Sequence, residues 1–163
     1  MDSLKLAKAK VYYDLEDALK TPSKVYVLDL SEKGLKEIPA KVFQFRNLCK
    51  LNLLGNQLAK IPEDITKLKN LEVLGIASNV DLDFPGTFRT LSKMPKLREL
   101  YLSFNQIKEL PVEIKGLKNL EVMVLYHNQI NFIPPEIGEM TKLRVLSFSF
   151  SEFFQLPEEI VNL

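Results

Sequence analysis

The chain of 163 residues contains no tryptophan, one cysteine and one histidine. With a single cysteine no disulfide can form within the chain, so burial of apolar side chains must hold the fold together. Lysine and arginine together number 22, against 21 aspartate and glutamate residues. This balance leaves no surplus of positive charge to neutralise phosphates, which argues against a nucleic-acid-binding protein and against binding to an anionic membrane surface.

Long apolar runs are also missing. The longest stretch, about 122–126, falls far short of the roughly 18 residues that a membrane-spanning helix needs. The first ten residues, MDSLKLAKAK, lack the apolar segment of a secretion signal. We therefore expect one soluble domain without membrane insertion. It is cytoplasmic as the sequence stands, or secreted or on the cell surface if an export signal has been removed.

Leucine is the most frequent residue, and it recurs at regular intervals. Residues 48–58 (LCKLNLLGNQL) and 97–107 (LRELYLSFNQI) share the pattern LxxLxLxxNxL, followed each time by a segment of the LPxxIxxL type. A fixed period of this length indicates a repeat architecture. Six units can be aligned, with boundaries at 25–47, 48–70, 71–96, 97–119, 120–142 and 143–163.

Each unit predicts the same local structure. Alternating apolar residues such as Leu51 and Leu53 are typical of a short strand with one buried face. The proline that follows ends the strand side, and apolar residues three apart, such as Ile114 and Leu117, favour a short helical or 3-10 segment. One unit cannot bury its own apolar side, so neighbouring units are expected to stack into a curved solenoid with parallel strands.

Asparagine recurs where each predicted strand ends, at Asn56, Asn79, Asn105 and Asn128. A carboxamide both donates and accepts, so we expect this column to bond the turning backbone of adjacent repeats. The third unit is irregular: Asp81 stands where leucine is expected, and three extra residues follow. This insertion predicts one extra helical turn on the convex side, either a tolerated insertion or a docking knob.

The pattern resembles the leucine-rich repeat family in its 23-residue LPxxIxxLxxL form and is similar to bacterial members. The resemblance begins at Val25. It implies an α/β solenoid, a right-handed horseshoe with a parallel β-sheet on the concave face and short helical or 3-10 segments on the convex side. It also implies protein interaction as the usual activity. Residues 1–24 do not fit the repeat, and their apolar residues, including Val11 and Leu15, predict an N-terminal helical cap.

Catalysis is not indicated. The chain has no phosphate-binding loop, no nucleophile elbow and no set of Cys and His residues with metal-ligand spacing. The one conceivable nucleophile and base, Cys49 and His127, lie three repeats apart, roughly 14 Å at a strand spacing of about 4.8 Å. A working hydrogen bond needs about 3.2 Å. We therefore expect no enzyme, no cofactor and no metal site, and we expect Cys49 to be an inert, partly buried thiol.

The information about function lies in the positions between the leucines. The register places a group of apolar and aromatic residues on the concave face and at the strand exits: Tyr101, Phe104, Val124, Tyr126, His127 and Phe150. The third unit is almost bare there, with Gly75 and Ala77. Rigid exposed rings are typical of the residues that contribute most binding energy in an interface. These residues predict a protein or peptide partner, although the rings could instead pack on one another to complete the sheet.

Two other functions remain open at this point. The last repeat carries Phe148, Phe150, Phe153 and Phe154, which could support self-association as a weak homodimer. Alternatively, Tyr101 and Tyr126 could stack on a glycan, with Asn52 and Ser103 as polar contacts.

Overall fold

The computed structural model describes residues 6, 8–148 and 156–163. In these residues one open sheet contains seven parallel strands, which lie side by side in chain order. Six strands come from the six aligned units and one precedes them. The strands are Val11–Tyr12 (β1), Val27–Asp29 (β2), Lys50–Asn52 (β3), Val73–Gly75 (β4), Glu99–Tyr101 (β5), Val122–Leu125 (β6) and Val145–Phe148 (β7). The leucine-rich repeat solenoid that the sequence predicts is confirmed.

The register of the sheet is set by the repeat. Leu28, Leu51, Leu74 and Leu100 are paired from strand to strand, and none of their surface is exposed. Burying one such side chain stabilises a fold by about 1.5–3 kcal/mol, and shifting a strand by one residue would turn that side chain to the other face. Residues that alternate with the leucines are therefore also aligned in columns, on the concave side.

The convex side consists mainly of 3-10 helices of five residues, each of which starts directly after a proline. They are Ala40–Gln44, Glu63–Lys67, Val112–Gly116, Pro135–Glu139 and Glu158–Asn162. The third unit instead has an α-helix of eight residues, Phe84–Leu91 (α2). The Asp83 carboxylate caps it by accepting a hydrogen bond from the backbone N–H of Gly86 at 3.1 Å. The extra helical turn predicted from the insertion is confirmed.

Among its described residues the N-terminal cap contains both helix and strand. A helix spans Leu15–Leu19 (α1), and a 3-10 turn follows at Pro22–Lys24. Val11, which the apolar pattern places on a helical face, lies instead in strand β1 and pairs with Val27. The reason is that β2 would otherwise present unpaired backbone groups at the edge of the sheet, and a short added strand satisfies them. The division into a cap over 1–24 and six repeats stays a prediction.

The asparagine column forms the hydrogen bonds that its position predicts. Asn79 is fully buried, and its Nδ2 donates to the carbonyl oxygens of Leu53, Ile76 and Ala77 at 3.0–3.2 Å. Its Oδ1 accepts from the backbone N–H of Leu58 at 3.1 Å. The carboxamides thus link each strand exit to the preceding repeat, where regular strand pairing has ended.

Candidate functional site on the concave face

Two columns of side chains cover the concave side of the sheet. Strand pairing aligns the first column as Val27, Lys50, Val73, Glu99, Val122 and Val145, and the second as Asp29, Asn52, Gly75, Tyr101, Val124 and Ser147. The predicted register is therefore correct. Val27 and Val73 are nevertheless buried, because the neighbouring strands, about 4.8 Å away, bring side chains against them from both sides.

A third column follows the strands and has left-handed backbone conformation. Its residues have φ between 53° and 67° and are Glu32, Gly55, Ser78, Phe104 and His127. This region favours glycine, and it is costly for a bulky side chain such as that of Phe104. Hydrogen bonds between neighbouring repeats hold the conformation, as when the Phe104 N–H donates to the Tyr126 carbonyl at 2.9 Å.

The rings of Phe104 and His127 stack on each other. Their centroids are 4.3 Å apart and their planes are 13° from parallel, because both residues occupy the same position in adjacent repeats. The stack leaves Phe104 51% exposed, and the neighbouring Tyr126 is 47% exposed. The rings of Phe104 and His127 thus pack on each other, but about half of the Phe104 and Tyr126 surface is still open to solvent.

Tyr101 is held more firmly. Its hydroxyl donates a hydrogen bond to Oε2 of Glu99 at 2.8 Å. Burial, together with this hydrogen bond and the negative charge of Glu99, raises the pKa of Tyr101 to about 12. The phenol is therefore neutral at any physiological pH, and its ring is fixed beside Val124, its partner in the register of β5 and β6.

Five of the six residues proposed from the sequence thus lie on or directly after two adjacent strands, β5 and β6. They are Tyr101, Phe104, Val124, Tyr126 and His127. The sixth, Phe150, lies outside the described residues, as do Phe153 and Phe154.

A feature that the sequence did not indicate is a pocket of about 330 Å³ in front of the third repeat. Gly75 and Ala77 form its floor, and Tyr101, Phe104 and Leu54 are among its walls. The small residues were visible in the sequence, but that they open a pocket depends on the large side chains around them. A second hollow of about 820 Å³ adjoins it near the starts of the strands and is lined largely by charged residues such as Lys96 and Arg98.

Cys49 is only 2% exposed, and its thiol donates to the carbonyl oxygen of Asn47 at 3.3 Å. Burial, reinforced by the charge of Glu72, raises the pKa of this thiol. In the part of the chain that the structure describes, no group of His, Cys, Asp and Glu residues is arranged to hold a metal ion. Over the same residues no helix has the length and apolar character of a membrane span.

Comparison with known proteins agrees with this architecture. The family model described as leucine rich repeat matches residues 23–80 and 95–153, which is more than half of the chain. The chain belongs to the leucine-rich repeat family. Members of this family are typically non-enzymatic protein-interaction modules.

Similar proteins come from a bacterium and from a plant. The solved structure of a Leptospira interrogans leucine-rich repeat protein is 36% identical with a TM-score of 0.82, over 94% of this chain and 38% of that one. A protein of Arabidopsis thaliana with leucine-rich repeats and a ubiquitin-like domain is 40% identical over 77 residues, 45% of this chain and 21% of that protein. A bacterial source for this chain therefore stays a prediction.

Two further structures share the repeat fold. The PEPR1–AtPEP1 complex is 28% identical with a TM-score of 0.61, over 92% of this chain and 21% of that one. The plant peptide hormone receptor RGFR1 in complex with RGF2 is 24% identical with a TM-score of 0.54, over 83% of this chain and 26% of that one. The latter likeness concerns the fold alone. This repeat protein spans less than two fifths of the length of each of these relatives.

Proposed function

We propose that this leucine-rich repeat chain is a non-enzymatic module that binds a protein or peptide partner on its concave face and strand-exit column. The contact residues are Tyr101, Phe104, Val124, Tyr126 and His127. The observation that carries the proposal is the exposed stack of Phe104 on His127, in strained backbone and next to the exposed ring of Tyr126.

The energetic argument rests on rigid aromatic area. A ring that is already fixed by stacking or by a hydrogen bond loses little conformational freedom when a partner covers it, so most of the burial energy is retained in the complex. Tyr101 is fixed by Glu99 and Phe104 by His127. PEPR1, whose repeats are 28% identical, is solved together with AtPEP1, and this supports a partner of the same general kind.

The test compares aromatic residues on and off the face. A partner is captured from the native cell, purified, and titrated calorimetrically against Phe104→Ala and Tyr126→Ala. The matched controls are Phe132→Ala and Tyr13→Ala, since Phe132 is 50% and Tyr13 64% exposed and both lie outside the proposed contact set. We expect the two face variants to weaken binding about tenfold each, which corresponds to about 1.4 kcal/mol.

The controls should leave the affinity within about twofold of wild type. Equal losses in the face variants and the controls, with circular dichroism showing intact folds, would refute the concave assignment. Self-association and glycan recognition stay predictions. Light scattering over a concentration series tests the first, and a glycan array tests the second.

A further inference from the structure

The pocket in front of the third repeat has a volume of about 330 Å³, which is more than a single methyl group of a partner would fill. An engineered protein cavity of about 150 Å³ already accommodates a benzene ring, so this space is sufficient for a whole leucine, methionine or phenylalanine side chain. The space exists because Gly75 and Ala77 occupy positions where the next repeat has Tyr101 and Ser103. Its lining is mostly apolar, and Val73 and Leu54 complete it.

The walls of the pocket are held in place before any ligand arrives. Tyr101 is bonded to Glu99, and Phe104 is stacked on His127. On the opposite wall the Asn52 amide donates to Oδ2 of Asp29 at 3.1 Å and accepts from the backbone N–H of Leu54 at 3.2 Å. A pocket whose walls are already fixed binds a side chain with little further ordering cost.

Charges differ between the two sides of the pocket. Lys50 lies on β3 and Glu99 on β5, paired in register through Val73, so their backbones are about 10 Å apart. The carboxylate of Glu99 already accepts the Tyr101 hydroxyl. In the described part of the chain the exposed Lys50 ammonium forms no ion pair or hydrogen bond. The positive charge of Lys50 helps to lower the pKa of Asp29, but the Asp29 carboxylate accepts its hydrogen bonds from Ser31 and Asn52.

We propose that this pocket receives one large apolar side chain from an extended peptide segment of the partner, with an acidic residue next to it above Lys50. The proposal rests on the proposed function and specifies its partner. The acidic residue belongs on the Lys50 side because the ammonium is available there, whereas Glu99 would repel an acidic residue on the other side. Ser103, whose hydroxyl has no partner among the described residues, lies in the lining and can donate to the peptide backbone.

The experiment is selection from a random phage-displayed peptide library on the immobilised wild-type chain. Ala77→Leu fills the pocket, Lys50→Glu reverses the rim charge, and Ala59→Leu makes the same alanine-to-leucine change at an exposed residue outside the pocket. Wild type and Ala59→Leu should enrich peptides with Leu, Met or Phe beside Asp or Glu. Lys50→Glu should enrich the same apolar residue beside Lys or Arg.

A synthetic peptide of the enriched sequence is then titrated by fluorescence polarisation. We expect Ala77→Leu to weaken its binding more than tenfold, because the apolar side chain loses its burial, and Lys50→Glu to weaken it about two- to fivefold at low salt. If Ala77→Leu does not fold, Gly75→Ala replaces it. The added Cβ comes within 2.8 Å of Asn52 Oδ1, so that amide must shift, and the new methyl group narrows the same pocket.

Three results would overturn the proposal, and they separate it from the proposed function. If Ala77→Leu leaves the affinity for the enriched peptide unchanged but Tyr126→Ala abolishes binding, the pocket is refuted while the concave face still binds. If neither variant changes the affinity for the peptide, the pocket is refuted, and the result counts against the concave face as well. Absence of any enriched motif would refute an extended peptide as the occupant, leaving the titration with a purified partner to decide the proposed function.

Discussion

Replacing Asn79 with alanine removes the side chain that connects the second and third repeats at the strand exits. The backbone N–H of Leu58 loses the only acceptor that it has among the described residues. An orphaned buried donor costs about 1–3 kcal/mol. The three carbonyl groups that Asn79 contacts each keep another donor, such as Gly55 N–H for Ala77, so their loss is smaller, about 0.5 kcal/mol each.

We therefore expect Asn79→Ala to lower the free energy of unfolding by about 3–4 kcal/mol. The assay is urea denaturation followed by circular dichroism, because the chain has no tryptophan for fluorescence. With a denaturant dependence of about 2 kcal/mol per molar urea, the midpoint should fall by about 2 M.

The control is Asn70→Ala. Asn70 also donates through its amide, to the Arg46 carbonyl at 2.9 Å, but it lies on the surface, where water replaces the lost partner. Its cost should stay below about 1 kcal/mol. Equal costs for Asn79→Ala and Asn70→Ala would show that the asparagine column does not stabilise the solenoid.

Three further changes test single features of the structure. Burial and the neighbouring carboxylate raise the pKa of Tyr101 to about 12, so its contribution to stability is complete below about pH 10 and is lost as the pH rises through 12. In an ultraviolet titration of the wild type, the tyrosine that ionises at the highest pH should be Tyr101, and this step should be missing in Tyr101→Phe. A step that stays unchanged in the variant would contradict the assignment. Cys49, buried and with a raised pKa, should react with a thiol reagent only after unfolding, so rapid labelling of the native chain would argue against its burial. Asp83→Ala removes the N-cap of helix α2 and should lower the free energy of unfolding, measured by urea denaturation, by about 1 kcal/mol. Asp81→Ala, at a nearby exposed position, should lower it much less. Equal losses would show that the Asp83 cap does not stabilise the fold.

Most of the fold could be predicted because each repeat contains the sequence signals that specify its own strand and helix. Two alternating leucines define a strand, a proline precedes the helix on the convex side, and the fixed spacing aligns each strand with the next. The asparagine column and the extra turn at 84–91 follow from the same periodicity, since a departure from a regular pattern is as informative as the pattern.

Strand β1 could not be predicted in this way. Its two residues, Val11 and Tyr12, are too few to show an alternation, and their conformation depends on an edge that β2 presents from a distant part of the sequence. Among the described residues that follow it, Leu15–Leu19 form the helix that the apolar pattern predicts, and Asp14 supplies its N-cap.

The candidate site shows the same division. By itself the sequence determined which residues face the concave side, because a period of two in the strands and a fixed period between the units leave one register that buries Leu28, Leu51, Leu74 and Leu100. Only the tertiary structure decided what those residues form together: the stack of Phe104 on His127, the bond from Tyr101 to Glu99, and the pocket above Gly75 and Ala77. The physical reason is that a stack or a pocket depends on distances between side chains from different repeats, whereas the pattern specifies one residue at a time.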